Sequence, residues 1–386
     1  MLPKGVGRIM SRKNRTAAVR RYLAIASQEI APAMRLATVC AVLCGIAILI
    51  ALIYVNHRDK SLVGGVPFFL FTAYIILGIG IGLAAFSYLS KRETDVFYKL
   101  LPASPFFTAV LKTVLTLVFC SAFIAVTVYT VYEISGFATP IVMGGYGYVN
   151  VTGVVRGGAY GLLELKGTLL AFYYGFSVGA FCATVFSRTV VAVIHTVPFL
   201  AFKFGLGLPT AEWFLDRSNY WSSRDGLSPA ALFSPEVMLV SIGMNRGRDY
   251  RLPWLEEPLT VNGLVILSLA LLLIALRRGE HSGRVLADSA FYPVYALPLS
   301  FGTATVLEYL LGTFNSTPNE LGWVIRYLTV SAVLFLIIGF LFERSIKKWR
   351  RVVTVGGTVF LIAFVWYAVM ILFPSETREI IASMLK

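Results

Sequence analysis

Long apolar runs recur along the 386-residue chain, separated by short polar connections. The runs are continuous, rich in Leu, Ile, Val and Phe, and do not alternate between apolar and polar positions. Each approaches or exceeds the ~18 residues needed to cross a hydrocarbon core about 30 Å thick. A membrane β-barrel would instead show ~10-residue segments of alternating character. The pattern predicts an all-α polytopic membrane protein. Candidate spans fall at 36–55, 67–88, 109–132, 167–186, 189–208, 259–276, 291–311, 323–342 and 353–373, so about eight to nine transmembrane helices are expected. The segments 189–208 and 291–311 carry internal prolines and single charges and are the least regular of these.

The connections divide the chain into a basic tail (1–35), a first transmembrane group (36–208), a long loop (209–258) and a second transmembrane group (259–386). Residues 20–30, RRYLAIASQEI, are weakly amphipathic and suit either a helix in the inner interface or a short solvated helix. Residues 133–166 are rich in Gly and Tyr, consistent with an exposed loop or short hairpin. The loop 209–258 carries Trp213, Trp221 and Trp254, residues that favour the headgroup layer.

Composition supports this reading, with 57% hydrophobic and 14% charged residues, far too apolar for a soluble domain of this length. The net charge of +14 would suggest nucleic acid in a soluble protein. Here the basic residues flank the apolar runs, which points to anionic lipid headgroups and topology, and not to nucleic acid. With the N-terminus cytoplasmic, segments 1–35, 88–112, 187–188, 277–290 and 343–352 lie inside and hold 21 of the 34 lysines and arginines. That asymmetry predicts a cytoplasmic N-terminus, and a location in the plasma membrane is expected.

Candidate chemistry is sparse. Cys40, Cys44, Cys120 and Cys182 all lie inside apolar runs and read as small buried hydrophobes. His57, His195 and His281 fall in three separate regions. LGIGIG (77–82) lacks the strand–helix context of a dinucleotide loop and reads as a helix-packing surface. No phosphate-cradling G-x-x-x-x-G-K-[ST] occurs in the sequence. The chain is therefore expected to bind no cofactor and to be no enzyme. Glu133, Glu164, Lys166, Lys203, Glu308 and Arg326 lie near or inside spans, where a charge at mid-membrane costs ~3 kcal/mol or more. Lys203 and Glu308 are the candidates for a transport pathway.

KRETDVFYKLLPASP, residues 91–105, interrupts two spans. On a helix, Val96, Phe97, Leu100 and Leu101 share one face, and Lys91, Arg92, Glu93, Asp95 and Lys99 cover most of the rest. Pro102 and Pro105 would end such a helix. Two readings are open: a short amphipathic helix in the inner interface, able to dock into a partner's groove, or an ordinary basic loop.

KRETDVFYKLLPASPFFTAVLKTVLTLV (91–118) resembles the segment after the second span of ABC-2-type exporter permeases, although Pro105 stands where that family often has Arg. FSRTVVAVIHTVPFL (186–200) is similar to the family's inner turn between the fourth and fifth spans. ALRRGEHSGRVLADSAFYPV (275–294) and FERSIKKWRR (342–351) are similar to inner loops of a Gram-positive subgroup. The resemblance implies a type V exporter-like permease that pairs with a second permease chain, identical or related, and with cytoplasmic ABC ATPase subunits that bind ATP and Mg. It further implies that 91–105 is the coupling helix, with Glu93, Asp95, Phe97, Lys99 and Leu101 contacting the ATPase. The exported substrate would be a lipid, peptide, drug or polysaccharide. The competing expectation is an ion-driven secondary transporter using Lys203 and Glu308. A lipid-processing membrane enzyme is a third, less favoured for want of a cluster of Asp, Glu or His.

Overall fold

Side chains this apolar form helices when no water is present to satisfy the backbone, because each helix closes its own hydrogen bonds. The computed structural model describes residues 12–56, 66–90, 104–135, 138–143, 150–186, 188–214, 253–276, 292–310, 321–343 and most of 353–365. Eight longer helices follow in order among them: α1 (Arg12–Asn56), α2 (Val66–Ala85), α3 (Pro105–Ser135), α4 (Gly157–Val185), α5 (Thr189–Phe214), α6 (Pro253–Leu276), α7 (Tyr292–Leu310) and α8 (Leu321–Glu343), with a short helical stretch beyond α8. A 3₁₀ turn, Ser87–Ser90, follows α2. Strands β1 (Ala138–Met143) and β2 (Asn150–Arg156) pair antiparallel between α3 and α4.

Hydroxyl groups within the helices turn back onto the chain. Thr113, Ser121, Thr127, Ser177, Thr184, Thr196 and Thr305 each donate to the carbonyl four residues earlier. This satisfies their polarity without water.

Four stretches are long and apolar enough to cross a membrane: Leu23–Ile50, Pro105–Ile134, Leu165–Val185 and Leu259–Leu276. Shorter apolar helices occupy Phe71–Ala85, Thr189–Ala201, Ile325–Gly339 and Gly356–Val365. The protein is thus an all-α membrane-type bundle carrying a small hairpin. Val39, Val42, Ile46, Ile50 and Ile53 of α1 are exposed, as are Val114, Val118 and Val126 of α3 and Leu264, Val265, Leu269 and Leu272 of α6. Apolar surface on this scale is a lipid-facing feature.

α4 sits at the centre, packing against α2, α3, α5 and α6. Its Leu165–Val185 stretch is 83% buried, against 22% to 33% for the other three long spans. A helix apolar all round belongs inside a bundle. Glycine sets its closest contact. A Cβ on Gly78 or Gly82 of α2 would collide with the backbone of Phe172 or Phe176, and one on Gly175 or Gly179 of α4 would collide with Ile75 or Ile79. The two G-x-x-x-G patterns therefore face each other and let the backbones touch. Gly80 has open space around it and takes no part.

Paired contacts give the helix directions. Gly78 meets Phe172 and Gly82 meets Phe176, so α2 and α4 run parallel. Tyr132 meets Gly161 while Ser121 bonds Tyr173 at 2.7 Å, so α3 and α4 are antiparallel. Phe181 lies 5.0 Å from Phe199 and Phe186 4.3 Å from His195, ring centre to ring centre, so α4 and α5 are antiparallel. Glu29 pairs with Lys112 and Cys44 lies beside Thr127, so α1 runs parallel to α3 in register. This is the alternation of a chain crossing back and forth.

Beyond α4, packing departs from chain order. α6 joins α4, whereas α5 packs against α7, and α7 packs against α8. Gly302 of α7 lies directly on the backbone of Pro198 in α5. Phe301, Ala304, Tyr327 and Leu328 form a small second cluster. Phe360 stacks on Phe301 at 5.2 Å and meets Phe335 edge-on at 5.9 Å, joining it to the main core.

Several elements differ from the sequence expectation. The first span does not begin at 36 after a separate interfacial helix. α1 is one helix of 45 residues, passing through Pro32 without a stop. A membrane-grade helix tolerates proline where neighbouring groups compensate. Pro105 does not close the preceding stretch but opens α3. Ser104 Oγ accepts from the Phe107 N–H at 3.2 Å, making Ser104 the N-cap and Pro105 the first helical residue. The expected coupling helix therefore cannot run to 105. α4 begins at Gly157, ten residues ahead of the expected span, directly after the hairpin.

Candidate functional site

The helix directions bring the C-terminal ends of α2 and α4 to one face of the bundle, together with the N-terminal ends of α3 and α5. Ser90, Ser104 and Arg188 belong to this face. Here the structure places a buried charge pair that sequence reasoning did not single out. Lys112 Nζ lies 3.4 Å from Glu29 Oε2, with side chains only 6% and 4% exposed. Lys112 Nζ also sits 4.3 Å above the centre of the Tyr88 ring, in cation–π range.

Each partner is placed by ordinary helix geometry. Ile25, Glu29, Ala33, Ala37, Cys40 and Cys44 are buried along one stripe of α1 at spacings of three and four. Ala109, Lys112, Thr113, Thr116, Cys120, Ile124 and Thr127 form the facing stripe of α3. The small residues of the α1 stripe let the helices approach closely. Glu29 is buried because α3 covers it, since its neighbours Ser27, Gln28 and Ile30 are exposed. Glu29 Oε2 makes no hydrogen bond, so Lys112 supplies its compensating charge. The sequence held one usable signal: two lone charges of opposite sign, each at the N-terminal edge of an apolar stripe. Nothing in the order of residues showed that the stripes face each other.

Glu93, Asp95, Phe97, Lys99 and Leu101 lie outside the described residues, as do His57 and His281. The described residues fix only the two attachment points of the stretch, Ser90 after α2 and Ser104 before α3. Lys203 and Glu308 are helical positions in α5 and α7, and their side chains are outside what is described. The two helices cross where Gly302 meets Pro198. Lys203 stands five residues beyond Pro198 and Glu308 six beyond Gly302 in their own helices. Glu133 and Arg326 are exposed near helix ends, and Lys166 is exposed ten residues into α4.

The remaining polar groups read as structural. His195 Nδ1 lies 2.7 Å from the Val191 carbonyl. A carbonyl can only accept, so Nδ1 carries the proton of this bond. All four cysteines are buried and unpaired by disulfides, with Cys40 of α1 beside Cys120 of α3. Among the described residues, no group of three or more His, Cys, Asp or Glu could hold a metal ion.

No protein-family model matches the chain, and no curated protein or solved structure matches it.

Proposed function

We propose that the chain is the transmembrane subunit of an ABC-2-type exporter, a second copy or relative of which completes the permease. A separate cytoplasmic ATPase, binding ATP and Mg, drives it. The reading is supported by the resemblance of 91–118 and the later inner turns to that family, and by the lipid-facing belts of α1, α3 and α6.

The observation that carries it is how the 91–103 stretch is attached. Its upstream end follows α2, which is bound backbone-to-backbone to the central α4. Its downstream end enters α3, which is bound to α1 through Lys112 and Glu29. A force on the stretch would act on both helix pairs at once, and the pairs meet where α3 packs on α4. That is the mechanical requirement for turning closure of an ATPase into a rearrangement of spans. In this role Glu93, Asp95 and Lys99 would supply charged contacts to the ATPase, and Phe97 and Leu101 apolar ones. The expected orientation puts this face, with Arg188 and the basic tail, in the cytoplasm.

The test is co-purification. The tagged chain, co-expressed with an ABC ATPase from a neighbouring reading frame that carries a Walker A motif, should retain it. The double substitution Glu93→Lys/Asp95→Lys should abolish retention while leaving the chain in the membrane. Undiminished retention would overturn the assignment of the stretch.

A second reading, an ion-driven transporter, would use Lys203 of α5 and Glu308 of α7, two helices that pack against each other. It predicts transport that persists without nucleotide, collapses with the proton gradient, and is lost in Lys203→Met and Glu308→Gln. Transport that requires nucleotide would remove it.

A further inference from the structure

The buried pair stands between three elements that the 91–103 stretch separates in sequence. Tyr88 lies just upstream of the stretch, in the turn after α2. Lys112 lies two turns into α3, downstream of it. Glu29 belongs to α1, outside the loop that the stretch closes. One ammonium group thus touches both flanks of the stretch and a third helix.

We infer that Glu29, Lys112 and Tyr88 form a latch that holds α1 against the base of α3 and opens as a discrete step, with Lys112 as its positioning residue. The physical reason lies in the burial of Glu29. Sliding α3 away by a small amount would leave a carboxylate in an apolar seam without its counter-charge, which is costly. Intermediate separations are therefore disfavoured. The favoured arrangements are the closed one described here and an open one, in which Glu29 turns out beside exposed Ser27 and Gln28 toward water or headgroups.

The seam beyond the latch suits such a step. From Ala33 to Cys44 the α1 stripe presents small side chains to α3, with no further charge. Among the described residues, the ion pair between these helices lies at the N-terminal end of α3, against the start of the apolar part of α1. Releasing it frees that end while the far end stays packed through Cys44 and Thr127. The motion would be a splaying of the two helices at the face where 91–103 is attached.

The latch does not depend on the export reading and is tested without any ATPase. The full chain is reconstituted in lipid nanodiscs with spin labels at Ala24→Cys on α1 and Phe106→Cys on α3. Both positions are exposed, whereas the four native cysteines are buried and shielded from an impermeant label. The native pair should give one dominant distance. Lys112→Met and Glu29→Gln should each lengthen the mean or add a second population, by ~2–5 Å, the scale of helix shifts in switching proteins. The exchanged pair Glu29→Lys/Lys112→Glu should bring back the single distance, and Lys112→Arg should keep it. Helical content and monodispersity of each variant separate opening from misfolding. If Lys112→Met fails to fold, Glu29→Gln decides the matter, because it removes the charge without a change of shape. A static strut would lose thermal stability in the neutral variants yet keep one distance, and that result would overturn the latch. So would an exchanged pair that behaves like the neutral variants. Failure of ATPase co-purification, by contrast, would leave these distances unchanged.

Discussion

At the scale of single residues, the consequential positions are those where an atom more or a charge less cannot be absorbed. Gly78, Gly82, Gly175 and Gly179 are such positions, because the obstacle to a Cβ is neighbouring backbone and not a movable side chain. Gly78→Ala or Gly175→Ala should destabilise the bundle by ~1–3 kcal/mol, the usual cost of overpacking. Gly80→Ala, on the same helix with nothing near its Cβ, should be neutral or stabilising by up to ~1 kcal/mol through helix propensity. Thermal unfolding of the purified protein in detergent measures both, and equal shifts at Gly78 and Gly80 would contradict the backbone contact. Glu29 and Lys112 are the other such pair. Removing one partner of a buried pair costs ~3–5 kcal/mol in soluble proteins, whereas replacing both by apolar residues is often neutral.

At the scale of elements, the helices were legible and their ends were not. Apolar runs above the membrane threshold announced α3, α4 and α6 without ambiguity. Pro105, expected with Pro102 to end a helix, instead starts one, because serine at 104 caps it and proline fits its first turn. Both readings of proline are sound, and only the hydrogen bond to Phe107 N–H distinguishes them. α1 shows the converse. The weakly amphipathic residues 20–30 suggested an interfacial or short solvated helix ahead of the span, but one helix runs on from Arg12. At ~1.5 Å per residue its 45 residues extend for about 68 Å, more than twice the hydrocarbon thickness. The N-terminal part must therefore stand beyond the apolar layer.

At the scale of the whole molecule, the alternating helix directions make a claim about sidedness. The hairpin and the start of α5 lie at opposite ends of α4. With the basic connections inside, Thr189→Cys should react with an impermeant thiol reagent only in inverted vesicles. Thr139→Cys, on β1, should react only in intact cells. Labelling of both from one side would refute the alternation. The exchange of partners between α5 and α6 matters at this scale as well. α5 bridges the α4-centred bundle to α7 and α8, so the two sequence groups are not two spatial bodies. The candidate pathway residues Lys203 and Glu308 belong to that bridge.

What the sequence determined by itself was the solvent and the element type. Apolar runs of this length have no stable form in water, and in lipid an unbroken run must be helical to satisfy its own backbone. The glycine pattern of α2 was equally legible as a packing surface, because small residues at a spacing of four have one use in a membrane. Tertiary structure decided the partners. It chose Gly78 and Gly82 over Gly80, placed α4 at the centre, exchanged α5 with α6, and set Glu29 against Lys112. The physical reason is that lipid is as apolar as leucine, so hydrophobicity cannot say which helix faces which. That choice rests on close backbone approach and on pairing of the few charges, and both are properties of two surfaces together.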